Sequence, residues 1–290
     1  MTVLVIGATG TVGPHVVAAL TALGTPVRVL ARDGDRARTL LPTGVDVRAG
    51  DPGDAGDLLS AVDADVTAVF LLTAHAGDMA ETQLRVIRAL RRAPVRIVKL
   101  SGTNSAIHPN GPHACRQHWE VEQVLAAGGQ PFAVLRANAF MQTLIDQIML
   151  PAALDAGVVA NPIADAGISF IDARDVGACA AAVLTDARYD GKTLTLTGPA
   201  AVTYRQIADH ITTVTGRPVT VREITPADVR DNLAARGMPE WETEHFEEMY
   251  ELFRDGGSEF VTDDVARILG RTATTVEQHL FRHPRLAATA

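Results

Sequence analysis

Val3-Leu4-Val5-Ile6-Gly7-Ala8-Thr9-Gly10-Thr11-Val12-Gly13 reads as a buried strand that runs into a glycine turn and then into a helix, the geometry that receives a dinucleotide pyrophosphate. Gly7 permits the tight turn out of the strand. Gly10 lets the backbone approach the phosphates with no Cβ in the way, and Gly13 lets the new helix lie close against the sheet. Free N–H groups at the helix start then meet the phosphates, so Thr9, Thr11 and Val12 join the three glycines as expected coenzyme contacts. The spacing is G-x-x-G-x-x-G rather than the commoner G-x-G-x-x-G. Its support is context: an apolar run precedes it, and a helical pattern of Val16, Val17, Leu20 and Leu23, stopped at Gly24, follows.

The next strand, Val27-Arg28-Val29-Leu30-Ala31-Arg32, ends about where such a fold places the residue that meets the adenosine ribose. An acid there accepts from the 2′-OH, whereas Arg32 offers a fork of donors suited to a 2′-phosphate. NADP(H) is therefore expected in preference to NAD(H), with Arg36 and Arg38 tilting the local charge the same way. Asp33 leaves an alternative open, since it reaches a ribose hydroxyl if the loop turns the other way, and so does a merely solvated arginine cluster.

The chain has 290 residues, 47% of them hydrophobic, which suits a globular α/β protein. A net charge of −8 repels a polyanion, so no nucleic acid partner is expected. Cys115 and Cys179 stand far apart without metal-ligand spacing, which points to a reduced, cytoplasmic protein with no metal. No stretch approaches the length of a membrane span, and no basic leader precedes the first apolar run, so a soluble protein without a membrane partner is expected. A homodimer is compatible with the chain, although no periodic exposed stripe marks an interface.

Strand-like runs at 45–47, 66–72, 95–100 and 132–136 alternate with helical patterns. The pattern predicts a Rossmann-type doubly wound parallel sheet over residues 1–155, completed by about 168–197, and a smaller, mainly helical substrate or lid domain over 198–290. Helical patterning covers 141–156, and Ile168–Ile171 reads as a strand of the nucleotide domain. Ligands of such sheets lie beyond the carboxyl ends of the strands. That singles out Thr9–Val12, Arg32, Asp51, Leu72, Thr73, Ser101, Gly102 and Asn138–Phe140. Thr203, Thr225 and Thr262 stand where helix N-caps belong. Aromatics make up only 4% of the chain, yet Trp241, Phe246, Tyr250, Phe253 and Phe260 gather in a helical stretch from Pro239 to Arg254 and just beyond it. Either this stripe is packing, or it roofs a substrate cleft together with Phe140, with Trp241 and Tyr250 as contacts.

With Gly7–Gly13, Arg32, Gly50-Asp51, Ser101, His118-Trp119-Glu120-Val121-Glu122, Leu135–Asn138 and Ile168–Asp175 in order, the chain resembles the NmrA-like branch of atypical short-chain dehydrogenases, in particular its NAD(P)H:quinone oxidoreductase type. The resemblance covers essentially the whole length. It implies a Rossmann domain and a small C-terminal domain with the substrate cleft between them. It also implies that Asp51 sits near the adenine and that Leu72, Thr73 and Ser101 run along the ribose and nicotinamide. Asp51 reads equally well as a helix cap, and Asp172–Asp175 as a structural cap with a salt bridge.

Ordinary short-chain dehydrogenases carry Tyr-x-x-x-Lys on the helix after the fifth strand. Here that helix has no tyrosine, and His118 and Glu122 hold the same i, i+4 spacing. A carboxylate one turn away favours imidazolium, so His118 is expected to donate a proton, Glu122 to support it, and His113 to stand second. The alternative is a structural hydrogen bond that fixes the helix. The reaction expected is hydride transfer from NADPH to a small conjugated carbonyl substrate such as a quinone or enone. Two other readings are open: a non-catalytic NADP(H)-binding redox sensor, and a Rossmann enzyme with a non-redox step. The aromatic cluster would line a closed pocket in an enzyme and an exposed patch in a sensor.

Overall fold

The computed structural model describes residues 1–91 and 93–287. The apolar runs become the strands β1 (Thr2–Ile6), β2 (Val27–Ala31), β3 (Asp46–Ala49), β4 (Val66–Leu71), β5 (Arg96–Ser101) and β6 (Phe132–Ala137). Two short strands, β7 (Val158–Asn161) and β8 (Gly167–Ile168), lie outside their sheet, which β9 (Thr193–Leu196) completes. The order is β3-β2-β1-β4-β5-β6-β9, and every pair is parallel. This is the doubly wound, Rossmann-type sheet. Its order reverses between β1 and β4, and there the strands' carboxyl ends open a crevice.

Both faces of the sheet are apolar because both are covered. Leu4, Ile6, Val69 and Ile97 pack against α3 (Ala55–Ala61), α4 (Met79–Leu90) and α5 (His113–Ala127) through Leu58, Val86, Leu90 and Val121. Val3, Val5, Phe70 and Val98 face the other way, toward α1 (Gly13–Ala22). After α2 (Gly34–Leu40), and beyond β6, the chain leaves the sheet in α6 (Met141–Leu144). That helix continues through a π-helical turn (Ile145–Met149) into α7 (Leu150–Ala156), and α8 (Ala173–Leu184) then returns to lie on α1.

A second core gathers Met141, Ile145, Leu150, Ile168 and Phe170 with Ile207 and Leu280. β10 (Val202–Thr203) pairs antiparallel with β8, and β11 (Thr220–Glu223) pairs parallel with β7. Around them lie α9 (Tyr204–Thr215), α10 (Pro226–Ala235), α11 (Glu240–Arg254), α12 (Asp264–Leu269), α13 (Val276–Phe281) and α14 (Pro284–Ala287). Residues 141–156 and Ile168 thus serve the second core, although the sequence pattern places them with the nucleotide sheet. Their apolar faces are as well satisfied there.

Thr203 and Thr225 do cap α9 and α10, each with a reciprocal capping box. Thr262 does not cap α12; its hydroxyl donates to the Thr195 carbonyl and its N–H donates to Thr197 Oγ1, which fastens this segment to β9. Asp172 caps α8 through Arg174 N at 2.8 Å, and buried Asp175 accepts from Arg271 Nη2 and Thr274 N, both at 2.6 Å. Both acids are structural. Among the described residues, no helix is long and apolar enough to cross a membrane.

Candidate active site

Three glycines after β1 do three different jobs. Gly7 has φ +79°, and a Cβ on it would stand 2.4 Å from the Leu72 carbonyl oxygen. A Cβ on Gly13 would stand 2.2 Å from the Gly7 carbonyl oxygen and 2.5 Å from Ala8 Cα. Turn, helix and β4 therefore approach too closely for any side chain. A Cβ on Gly10 would meet nothing nearer than the Gly7 carbonyl oxygen at 3.6 Å. The protein leaves that space open, and no side chain caps the start of α1, where Val12 is the N-cap residue. An uncapped helix start beside an open glycine fits a pyrophosphate, whose oxygens accept from the orphan N–H groups. Thr9 is half-buried, Thr11 is exposed, and Val12 is buried in the core.

Arg32 is exposed at the end of β2 and makes no ion pair with any described residue. Asp33 is occupied: it is the N-cap of α2 and its Oδ1 accepts from Arg36 N at 2.9 Å. Among the described residues the Arg32 and Arg36 guanidiniums make no ion pair on this rim, while Arg38 pairs with Asp35. Asp51 is exposed after β3 and closes a turn by accepting from Gly53 N at 2.8 Å, while Asp54 caps α3. The cap reading of Asp51 therefore passes to Asp54. Leu72 and Thr73 line the crevice end of β4, and the Thr73 hydroxyl accepts from Gln83 Nε2 at 3.0 Å.

At the ends of β5 and β6 the geometry departs from the i, i+4 reading. Glu122 is buried and turns away from His118, accepting from Ser101 Oγ at 2.5 Å and from Arg136 Nη2 at 2.6 Å. Arg136 also donates to Asn104 Oδ1 at 2.7 Å. His118 instead lies 2.7 Å, Nδ1 to Nζ, from Lys99, a fully buried lysine of β5 that also donates to the Leu100 carbonyl. Burial and the Lys99 charge hold the His118 imidazole well below its ordinary value. The expected imidazolium is therefore corrected: near neutral pH His118 is a neutral ring. Burial also brings Lys99 down to about 7, against the pull of Glu122.

Two further expectations are corrected. Asn138 is buried with its hydrogen-bonding capacity spent: Oδ1 accepts from Thr103 and Ser258 hydroxyls, and Nδ2 donates to Ser169 and to the Ser258 carbonyl. It ties β6 to the loop after α11 and has nothing left for a coenzyme. Tyr250 is 6% exposed, edge-on to Phe253 and hydrogen-bonded to Tyr204 in the second core. It faces away from the crevice.

Trp241 and Phe246, on the same helix, do face the crevice side. Trp241 packs on His75 and His113 with ring centroids 5.3 and 5.0 Å apart, and Phe246 lies beside His75 and His245. His245 is buried, its Nδ1 has no partner, and burial brings it down to about 3, so it is neutral. Phe140 is half-buried where β6 hands the chain to α6, bridged to Ile171. His113 reaches the Gly77 carbonyl at 3.3 Å. Among the described residues no group of three or more His, Cys, Asp or Glu could hold a metal ion. Lys99 escaped the sequence reading, although a single charge inside Ile97-Val98-Lys99-Leu100 was its signal, because a lysine in a buried strand needs a partner.

A model of the NmrA-like family matches residues 1–282. The chain belongs to that family. Within it, the NAD(P)H azoreductase of Xenophilus azovorans is 30% identical over 282 residues, covering 97% of each chain. A (4-alkanoyl-5-oxo-2,5-dihydrofuran-3-yl)methyl phosphate reductase of Streptomyces griseus is 35% identical over 272 residues, covering 93% of this chain and 94% of the relative. The NADPH-dependent quinone oxidoreductase of Escherichia coli, solved in complex with NADPH, superposes with a TM-score of 0.86 at 27% identity, covering 97% of this chain and 100% of that one.

Proposed function

We propose that this NmrA-like chain is an NADPH-dependent reductase of small conjugated carbonyl acceptors such as quinones or enones. Family membership and named relatives make it an NAD(P)H-dependent oxidoreductase; the acceptor class and the choice of NADPH are the finer reading. The observation that carries it is the open coenzyme cradle of Gly10 and α1 at the same crevice as a neutral His118 held from behind by Lys99.

When bound, the coenzyme supplies hydride. Gly7, Gly10, Gly13 and the α1 amides would hold its pyrophosphate, Arg32 its 2′-phosphate, and Asp51 the adenine side. Leu72, Thr73 and Ser101 would border the ribose and nicotinamide. Conjugated acceptors suit a site without tyrosine, because the incoming electrons delocalise onto oxygen and leave only a proton to be delivered. His118 is the group placed to deliver it, from Nε2, which bonds no other described residue. Trp241 and Phe246 offer flat apolar faces for a planar acceptor. The aromatic cluster is largely closed in, with Tyr250 and Phe253 buried and Trp241 and Phe246 half-buried, which favours a pocket over a regulatory patch.

Arg32→Ala is expected to weaken NADPH binding about 10- to 100-fold, the range for one charge-assisted fork to phosphate, while leaving NADH binding unchanged. Fluorescence titration with both coenzymes measures it, and equal losses for the two would remove the phosphate role. Trp241→Ala is expected to raise KM for quinones several-fold with little change in the denaturation midpoint, since the ring is only half-buried. A large stability loss at unchanged KM would make it packing.

A further inference from the structure

We infer that Lys99 is the proton reservoir of the crevice: its buried ammonium fixes His118 as the Nε2–H tautomer and refills the ring from behind when the outer proton leaves. This inference rests on the reductase reading above and adds a residue and a direction of proton flow to it.

The tautomer follows from the hydrogen bond itself. An ammonium has three N–H donors and no lone pair, so the Nδ1 that lies 2.7 Å from Lys99 Nζ must be the acceptor. A neutral ring then carries its hydrogen on Nε2. Lys99 has no exposed surface, and its other bond goes to the Leu100 carbonyl. It therefore exchanges protons with the crevice through His118. Behind it, Glu122 is bound by Ser101 and Arg136, so the lysine is not locked into an ion pair with that carboxylate.

The step balances in atoms and electrons. Reduction of a quinone adds two electrons and one hydrogen as hydride, and one proton besides. The His118 Nε2–H bond breaks as the acceptor O–H bond forms, the Lys99 Nζ–H bond breaks as the Nδ1–H bond forms, and Lys99 is left as a neutral amine. After product leaves, a solvent proton enters at Nε2 and the Nδ1 proton returns to Lys99. Burial places the ammonium near 7, where a donor is both protonated and willing to release. The groups that face the pair are Glu122 and Cys115 from α5, Arg136 from β6, His75 after β4 and His245 from α11. The Cys115 thiol, pushed up to about 12 by burial, and the low-titrating His75 and His245 stay neutral, so none of these three adds charge near pH 7.

The test joins nitrogen NMR of histidine-labelled, coenzyme-free protein to kcat–pH profiles with NADPH and a quinone for wild type, Lys99→Arg and Lys99→Met. Wild-type His118 is expected to be neutral with its proton on Nε2 at pH 6, where Lys99 is the ammonium, with that preference relaxing and kcat falling as pH rises through about 7. Lys99→Arg keeps a charged donor that cannot release its proton. It should retain the tautomer and NADPH affinity but lose about 10-fold or more in kcat, with no limb near pH 7. Lys99→Met should lose the tautomer preference as well. A wild-type ring that at pH 6 is protonated, or that carries its hydrogen on Nδ1, overturns the inference without any variant. A Lys99→Arg enzyme with wild-type kcat and limb reduces Lys99 to a positioning residue and also overturns it. Wild-type protein that shows the tautomer but oxidises no NADPH with any quinone or enone overturns the reductase reading itself, and the relay falls with it.

Discussion

Gly10→Ala is expected to leave the fold intact and weaken NADPH binding about 100-fold, whereas Gly13→Ala is expected to lose both. The two positions are three residues apart in one turn, and only their surroundings differ. A methyl on Gly13 would be driven into the Gly7 carbonyl and the Ala8 backbone, at 2.2 and 2.5 Å. Backbone atoms cannot yield as a side chain can, so overpacking there costs roughly 3 kcal/mol or more and shifts α1 off the sheet. A methyl on Gly10 touches no protein atom within 3.6 Å. Stability should change by no more than about 0.5 kcal/mol, as at other exposed positions. What the methyl would meet is the phosphate, and losing close approach to the amides removes roughly 3 kcal/mol of binding, about 100-fold. Denaturant melts and calorimetric titration separate the two effects. Equal stability losses at both positions would show that Gly10 serves the turn alone.

His279→Ala is expected to cost about 3–5 kcal/mol of stability. His279 of α13 is 2% exposed, with Nε2 at 2.6 Å from Asp146 in the π-helical turn and Nδ1 at 3.2 Å from Asp172 at the start of α8. Both carboxylates are acceptors, so the ring is an imidazolium with both N–H groups donating. Burial alone would lower it, but the bonds to Asp146 and Asp172 outweigh that and raise it to about 9. Asp172, despite its own burial, is held well below the usual carboxylate range by His279 and Arg174. Removing the ring takes a charged partner from Asp146 and from Asp172, which keeps Arg174 at 3.0 Å, and unfastens α13 from the π-helical turn and from the start of α8. The sign of the pH dependence differs for the two partners. The His279 contribution is complete below its unfolded value near 6.5 and is lost as pH rises through about 9. The Asp172 contribution is present above its unfolded value near 3.8 and fades in acid. The stability difference between parent and His279→Ala should therefore be largest between about pH 4 and 6.5 and shrink as pH rises through about 9. A variant as stable as the parent across that range would remove the clamp.

Residue patterns made the sheet legible because buried parallel strands are continuous apolar runs, and Val3–Ile6, Val66–Leu71 and Arg96–Ser101 could be read as nothing else. The glycine turn was legible because its demands are steric and local. Side-chain partners across elements were not. His118 and Glu122 sit one turn apart, and helical spacing alone would pair them. A buried carboxylate, however, takes the strongest donors in reach, and for Glu122 these are Arg136 and Ser101 on neighbouring strands. The imidazole was left to Lys99. The stripe of α11 misled in the same way, since one helix borders both the second core and the crevice: Tyr250 turns into the core while Trp241 turns toward the crevice. Asn138 follows a strand, the position of a ligand contact, yet four groups from other segments consume it.

A crystal structure grown with saturating NADP+ would show the coenzyme in place. The pyrophosphate is expected against the backbone amides of residues 10–12, the 2′-phosphate in the fork of Arg32, and the nicotinamide end beside Ser101 and His118. Coenzyme bound elsewhere, or a turn closed over by its own side chains with no density at saturating concentration, would contradict this placement.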